Sequence, residues 1–148
     1  MNKKQNSVTP NSAKPKLEDV LFAKICPYCG LQPDFMESSE KIYGKDYGPV
    51  YICHDCDAYV GVHKDGSNRP LGRLADAELR KAKKEAHFYF DFLWRKKMSK
   101  GFTKHEARKT AYLWLSLKMA IIPDHTHIGM FNIEQCKQVI ELCKPYKK

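Results

Sequence analysis

Six cysteines stand in this chain of 148 residues, and four of them are spaced for chemistry. Cys26-Pro27-Tyr28-Cys29-Gly30 carries one C-x2-C pair and Cys53-His54-Asp55-Cys56 another, with twenty-three residues between Cys29 and Cys53. Two intervening residues let one tight turn aim both sulfurs at a single ion, and Gly30 can take the positive φ that such a knuckle often needs. Two knuckles side by side offer four thiolates in a tetrahedron, the donor set of a Zn²⁺ site with Zn–S bonds of about 2.3 Å. Cys26, Cys29, Cys53 and Cys56 fill every position, so no site is left for water or substrate and one structural ion is expected. The competing readings are two disulfides, which suit a secreted chain, and unligated core cysteines. His54 and His63 lie close enough in sequence to substitute as ligands. The simpler reading of His54 points it away from the metal.

Secondary elements must bring the two knuckles together. Leu17 to Lys24 leads into the first as a short helical turn or strand, and Asp34 to Ser38, Val50 to Cys53 and Ala58 to His63 read as strands. Three short antiparallel strands clamped at one end by a metal make a zinc ribbon. So small a sheet cannot hold itself together by burial alone, and the ion is expected to supply much of its stability. The turn-rich stretch from His63 to Gly72 then links the ribbon to the helical part of the chain.

Helical periodicity takes over beyond that link. Ala75, Leu79, Ala82, Ala86, Phe90, Leu93 and Trp94 recur at three and four, one face of an amphipathic helix reaching about Met98 and ended by Ser99-Lys100-Gly101. Thr103 and Glu106 form a capping box before a second helix through Ala107, Ala111, Trp114 and Leu115 or Leu117, which stops before Pro123. Asn132 with Gln135 caps a third, with Ile133, Cys136, Val139 or Ile140, and Cys143 at core spacing. Cys136 and Cys143 stand two turns apart, roughly 10 Å, and read as small buried apolar residues. The fold class is therefore α+β: a small three-stranded antiparallel zinc ribbon over 17–73 followed by a three-helix module over 74–148, with a disordered basic tail over 1–16.

The formal charge is +9, and four thiolates (−4) with one Zn²⁺ (+2) would bring it to about +7. Its distribution is uneven. Lys24 to Arg73 holds six Lys/Arg against seven Asp/Glu, whereas Arg80 to Lys109 holds eleven against three. Phosphate neutralisation by such a helical surface gives salt-sensitive, mostly sequence-independent binding, and Lys83, Lys84, Arg95, Lys96 and Lys97 are the candidate contacts to DNA or RNA. Tyr43 and Tyr47, on the Gly- and Lys-rich connection from Lys41 to Tyr51, are candidate base-stacking residues if that loop is flexible; the alternative is aromatics covering the sheet. A basic helix pair can also be only a solvated face. Neither a Walker loop, a G-x-S-x-G elbow nor a dinucleotide fingerprint occurs, so a non-enzyme is expected. Asp124, His125 and His127 are the one cluster outside the ribbon suited to a catalytic metal, and a metal-dependent nuclease is the minor alternative. Otherwise His127 caps or packs at the start of the last helix and His125 is exposed. The other alternative is an interaction adaptor or inhibitor, of a kind phages could encode, whose lysine face meets an acidic protein. With no apolar run of signal-peptide or membrane-span length, a soluble cytoplasmic protein is expected.

Longer literal runs carry a family resemblance. Cys26 to Gly30, Tyr43-Gly44-Lys45-Asp46-Tyr47-Gly48-Pro49-Val50-Tyr51, Cys53 to Gly61, Pro70-Leu71-Gly72, Ala75 to Arg80 and His127-Ile128-Gly129-Met130-Phe131 resemble a zinc-finger-containing domain family of bacterial and phage genomes. The resemblance runs from about Lys24 to Cys143. It implies zinc on the four cysteines and carries no settled activity. More distantly, the ribbon is similar to the small zinc ribbons of bacterial type I topoisomerases, which bind single-stranded DNA; the compact second knuckle departs from their longer spacing, and no topoisomerase catalytic core is present.

Overall fold

The computed structural model describes residues 16–147. The expected tail over 1–16 lies outside them, Lys16 apart. The chain divides between Ala77 and Glu78 into two compact units.

The first unit opens with α1, Leu17–Leu21, which buries Val20 and Leu21. β1 (Asp34–Met36), β2 (Val50–Cys53) and β3 (Ala58–Gly61) form an antiparallel sheet in that order. Register is set by pairs such as Phe35↔Tyr51, Tyr51↔Val60 and Cys53↔Ala58. Residues directly opposite share a face. Tyr51, Cys53, Ala58 and Val60 therefore lie together, and they pack with Ala23, Cys26 and Leu74 into the unit's core. Val50 and Ile52 are buried on the opposite face. Beyond β3 the chain doubles back, pairing Val62 with Pro70 and Tyr59 with Ala75.

The connection between β1 and β2 is built rather than slack. It contains a further helical turn, α2 (Glu40–Tyr43), ended by Gly44 at φ 78° in the left-handed region that glycine takes without strain. The Asp46 carboxylate accepts hydrogen bonds from the Ser39 and Gly48 amides at 3.2 and 2.8 Å, and the buried Ser39 hydroxyl accepts from the Tyr47 amide at 2.9 Å. Tyr43 packs edge-on against Tyr47 and against Tyr59 of β3, with ring centres 5.6 and 5.9 Å apart. Of the two readings of this connection, the structure has the tight one: a hydrogen-bonded loop that lays Tyr43 on the sheet.

Three longer helices carry the rest of the chain: α3 (Ala77–Met98), α4 (Lys104–Met119) and α5 (Ile133–Cys143). Leu79, Ala86, Phe90 and Trp94 are the buried stripe of α3. Thr103 with Glu106 caps α4 and Asn132 with Gln135 caps α5, each as a reciprocal capping box. Of the paired alternatives, Leu115 is buried while Leu117 is 82% exposed, and Val139 and Ile140 are both buried. Cys136 and Cys143 are fully buried, as are Ile128, Phe131 and Val139 of the same unit. Two 3-10 turns, Pro123–His125 and Ile128–Met130, join α4 to α5. Between them Thr126 is fully buried, its hydroxyl donating to the Ile122 carbonyl at 2.7 Å.

Candidate metal centre and basic surface

The first knuckle is a tight loop. The Cys26 amide donates to the Leu31 carbonyl at 2.8 Å, the Gly30 amide donates to the Cys26 carbonyl at 2.9 Å, and Gly30 takes φ 81°. The Tyr28 amide points at the Cys26 sulfur, 3.4 Å away. Outside the loop, the Tyr28 hydroxyl accepts from the Asp76 amide at 3.1 Å, tying the knuckle to the end of the unit. The second knuckle is itself the β2–β3 connection: four residues, His54 to Asp57, span the paired Cys53 and Ala58, with Asp57 at φ 52°. Aspartate tolerates this left-handed conformation better than most residues.

Together the two loops bring Cys26, Cys29, Cys53 and Cys56 to one point, with all four sulfurs within 4.8 Å of one another. The Cys29 and Cys53 sulfurs lie 3.7 Å apart. Zn–S bonds of about 2.3 Å at tetrahedral angles require sulfurs about 3.8 Å apart, so this spacing fits the ion. Cys26 and Cys53 are buried and Cys29 and Cys56 half-buried, which makes the centre part of the unit's core. Burial pushes the Cys26 thiol up to about 11, against amide bonds from Tyr28 and Cys29, and raises Cys56 as well. Burial also opposes ionisation of Cys29, but hydrogen bonds from the Leu31 amide and the neighbouring thiols outweigh it and draw this thiol down. Four crowded thiolates are costly without a cation, and a bound Zn²⁺ deprotonates its thiols outright. The residues present fit zinc, and zinc is the cofactor of this unit.

Neither histidine joins the sulfurs. His54 is exposed and faces Asp34 with Nε2 3.4 Å from the carboxylate, and His63 sits half-buried beyond β3. Asp124, His125 and His127 do not converge either: among the described residues, the four cysteines alone form a metal-competent group. His125 is half-buried in the first 3-10 turn, whereas His127 is exposed and packs on the Tyr112 ring, 4.9 Å between centres. The expectation of an exposed His125 is corrected accordingly.

The basic candidates are scattered in role. Lys84 and Lys96 are exposed on α3, and exposed Arg95 pairs with Asp91 at 3.6 Å while its guanidinium lies over the Trp94 ring. Lys97 is half-buried with its ammonium over Phe102, 5.0 Å from the ring centre. Lys83 is directed inward: its ammonium donates to the Gly129 carbonyl at 2.9 Å. Tyr43 and Tyr47 belong to the other unit.

Two features of the helical unit are not foreseen from the sequence. Phe88 is 51% exposed on α3 and stacks edge-on with Phe92. A cavity of about 410 Å³ opens beside α4, lined by His105, Arg108, Lys109, Tyr112, Leu113, Pro123 and His127. Its helical members recur at three and four from residue 105, a period that marks one face; nothing local announces that the 3-10 turns wall it off.

No helix among the described residues is long and apolar enough to cross a membrane. No curated protein and no solved structure matches the chain. A family described as a zinc-finger-containing domain, of unknown function, matches residues 22–146, which span both knuckles and all three long helices. The chain belongs to this zinc-finger-containing domain family.

Proposed function

We propose that this protein is a zinc-stabilised accessory factor that docks on nucleic acid through its helical unit. One observation carries the reading. The unit from Glu78 onward holds sixteen Lys/Arg against seven Asp/Glu, +9, whereas residues 1–77 hold ten of each. The whole formal excess therefore lies in the second unit. Lys84 and Arg95 are eleven residues apart on α3, which returns them to nearly the same side of the helix about 16 Å apart. With Lys96 they offer exposed cations to separate phosphates along a strand. Zinc in this reading shapes the ribbon, and no bond is made or broken. Zinc–thiolate chemistry suits the reducing cytoplasm, where the proposal locates the protein.

The test is fluorescence anisotropy of the zinc-loaded protein with single-stranded DNA, duplex DNA and RNA at two salt concentrations. Each phosphate neutralised contributes about −0.9 to the log–log salt slope on duplex and about −0.7 on single strands. The triple variant Lys84→Gln, Arg95→Gln, Lys96→Gln is expected to bind at least about tenfold more weakly and to flatten the slope by two to three phosphate equivalents. Absence of binding to every probe would sink this reading. A partner retained after nuclease treatment would then favour an adaptor for an acidic protein.

A further inference from the structure

The cavity beside α4 has a chemistry separate from the exposed lysines of α3. Tyr112 is its fixed wall. The ring is held from behind by Phe90, 4.4 Å between centres, and at its side by His127. The Tyr112 hydroxyl meets the Ile128 amide and the Arg108 side chain, and the Arg108 guanidinium stands 5.9 Å from the ring centre. Leu113 and Pro123 add apolar surface, and Arg108, Lys109 and His105 form the rim. Among the described residues, no carboxylate lines the space. Its volume of about 410 Å³ lies in the range of small-molecule sites, about 300–1,000 Å³.

Apolar and aromatic walls beside the two cations Arg108 and Lys109 complement a flat, aromatic anion. An aliphatic anion would use the rim but could not stack on the aromatic wall. Guanidinium binds phosphate in a bidentate fork, and aromatic faces hold bases regardless of their sequence. We propose that this cavity receives a single nucleotide, its base against the Tyr112–His127 wall and its phosphate on Arg108 and Lys109. The nucleotide is either a free monophosphate or the phosphorylated end of a strand. The site goes beyond the phosphate-tracking surface of α3 and is testable apart from it.

The zinc-loaded full chain is titrated, by amide-resolved NMR, with a nucleoside 5′-monophosphate, the matching nucleoside and inorganic phosphate. The monophosphate is expected to shift Tyr112, Leu113 and His127 saturably, and each half alone to bind at least about tenfold more weakly. Two variants probe the two halves of the site. The pair Arg108→Gln with Lys109→Gln, both exposed, removes the phosphate partners; Leu113→Trp, also at an exposed position, fills the cavity without changing charge. Both should reduce monophosphate binding by at least about tenfold with an unchanged thermal midpoint.

A 5′-phosphorylated oligonucleotide that displaces the monophosphate identifies a strand end as the source. One that leaves the cavity signals in place identifies the free nucleotide, and both results support the site. Lys84→Gln, Arg95→Gln, Lys96→Gln should leave monophosphate binding intact, and Leu113→Trp should leave salt-dependent strand binding intact, so either proposal can fail alone. The cavity proposal is overturned if no saturable shift appears around Tyr112, or if both variants bind as the parent does.

Discussion

Cys26 and Cys56 hold their protons above the ordinary thiol range while Cys29 is drawn below it, so zinc uptake must displace protons, those of Cys26 and Cys56 among them. Zinc affinity, read by chelator competition, is expected to fall by more than about tenfold for each pH unit below neutrality; a flat profile would contradict thiolate ligation. Cys143 shows the other consequence of burial. Its pKa is pushed up to about 12 from an ordinary 9, so the folded helical unit holds this proton more tightly than the unfolded chain. That contribution is complete below about pH 9 and is lost as pH rises toward about 12. Thermal midpoints at successive alkaline pH values should decline, with a shallower decline in Cys143→Ala. The cysteines are legible in sequence because a knuckle is local: two residues of spacing dictate the turn. Lys83 is not, since its charge reads as surface while its position does not. It lies four residues after Leu79 and three before Ala86, inside the buried stripe, and its ammonium ends on the Gly129 carbonyl.

At the scale of elements, legibility follows periodicity and caps. The three long helices repeat their apolar spacing over three turns or more, β2 and β3 show in their Val, Ile and Tyr content, and the capping boxes at Thr103 and Asn132 mark the starts of α4 and α5. The turn α2 offers only four residues, too few to show a period, and its order comes from Ser39 and Asp46, which accept amides several positions away. The α4 cavity needs tertiary knowledge, because Pro123 and His127 reach it from beyond the helix end. Stability should follow the same logic. Thr103→Ala deletes the hydroxyl that accepts from the Glu106 amide at 3.1 Å and is expected to cost about 1 kcal/mol in denaturant unfolding. Leu115→Ala, at a fully buried position, should cost about 2–5 kcal/mol, whereas Leu117→Ala should stay within about 0.5 kcal/mol.

For the molecule as a whole, charge and metal are divided between the two units: residues 1–77 are formally neutral and hold the four cysteines, and residues 78–148 carry +9. Strong chelation, or Cys53→Ser, is therefore expected to abolish the cooperative unfolding of the first unit while most helical circular dichroism survives; an unchanged thermogram after chelation would exclude a structural metal. The apparent binding energy of such ions, about 10–16 kcal/mol in small zinc-binding peptides, exceeds what strands of three or four residues can gain by burial. The second knuckle adds a consequence of a different kind. A slip of one residue between such strands turns every side chain to the other face. Because Cys53 closes β2 and Cys56 sits in the four-residue link to β3, such a slip would carry one sulfur away from the other three. The ion thus acts as a proofreader of strand alignment, binding tightly only to the hairpin that has been assembled in register.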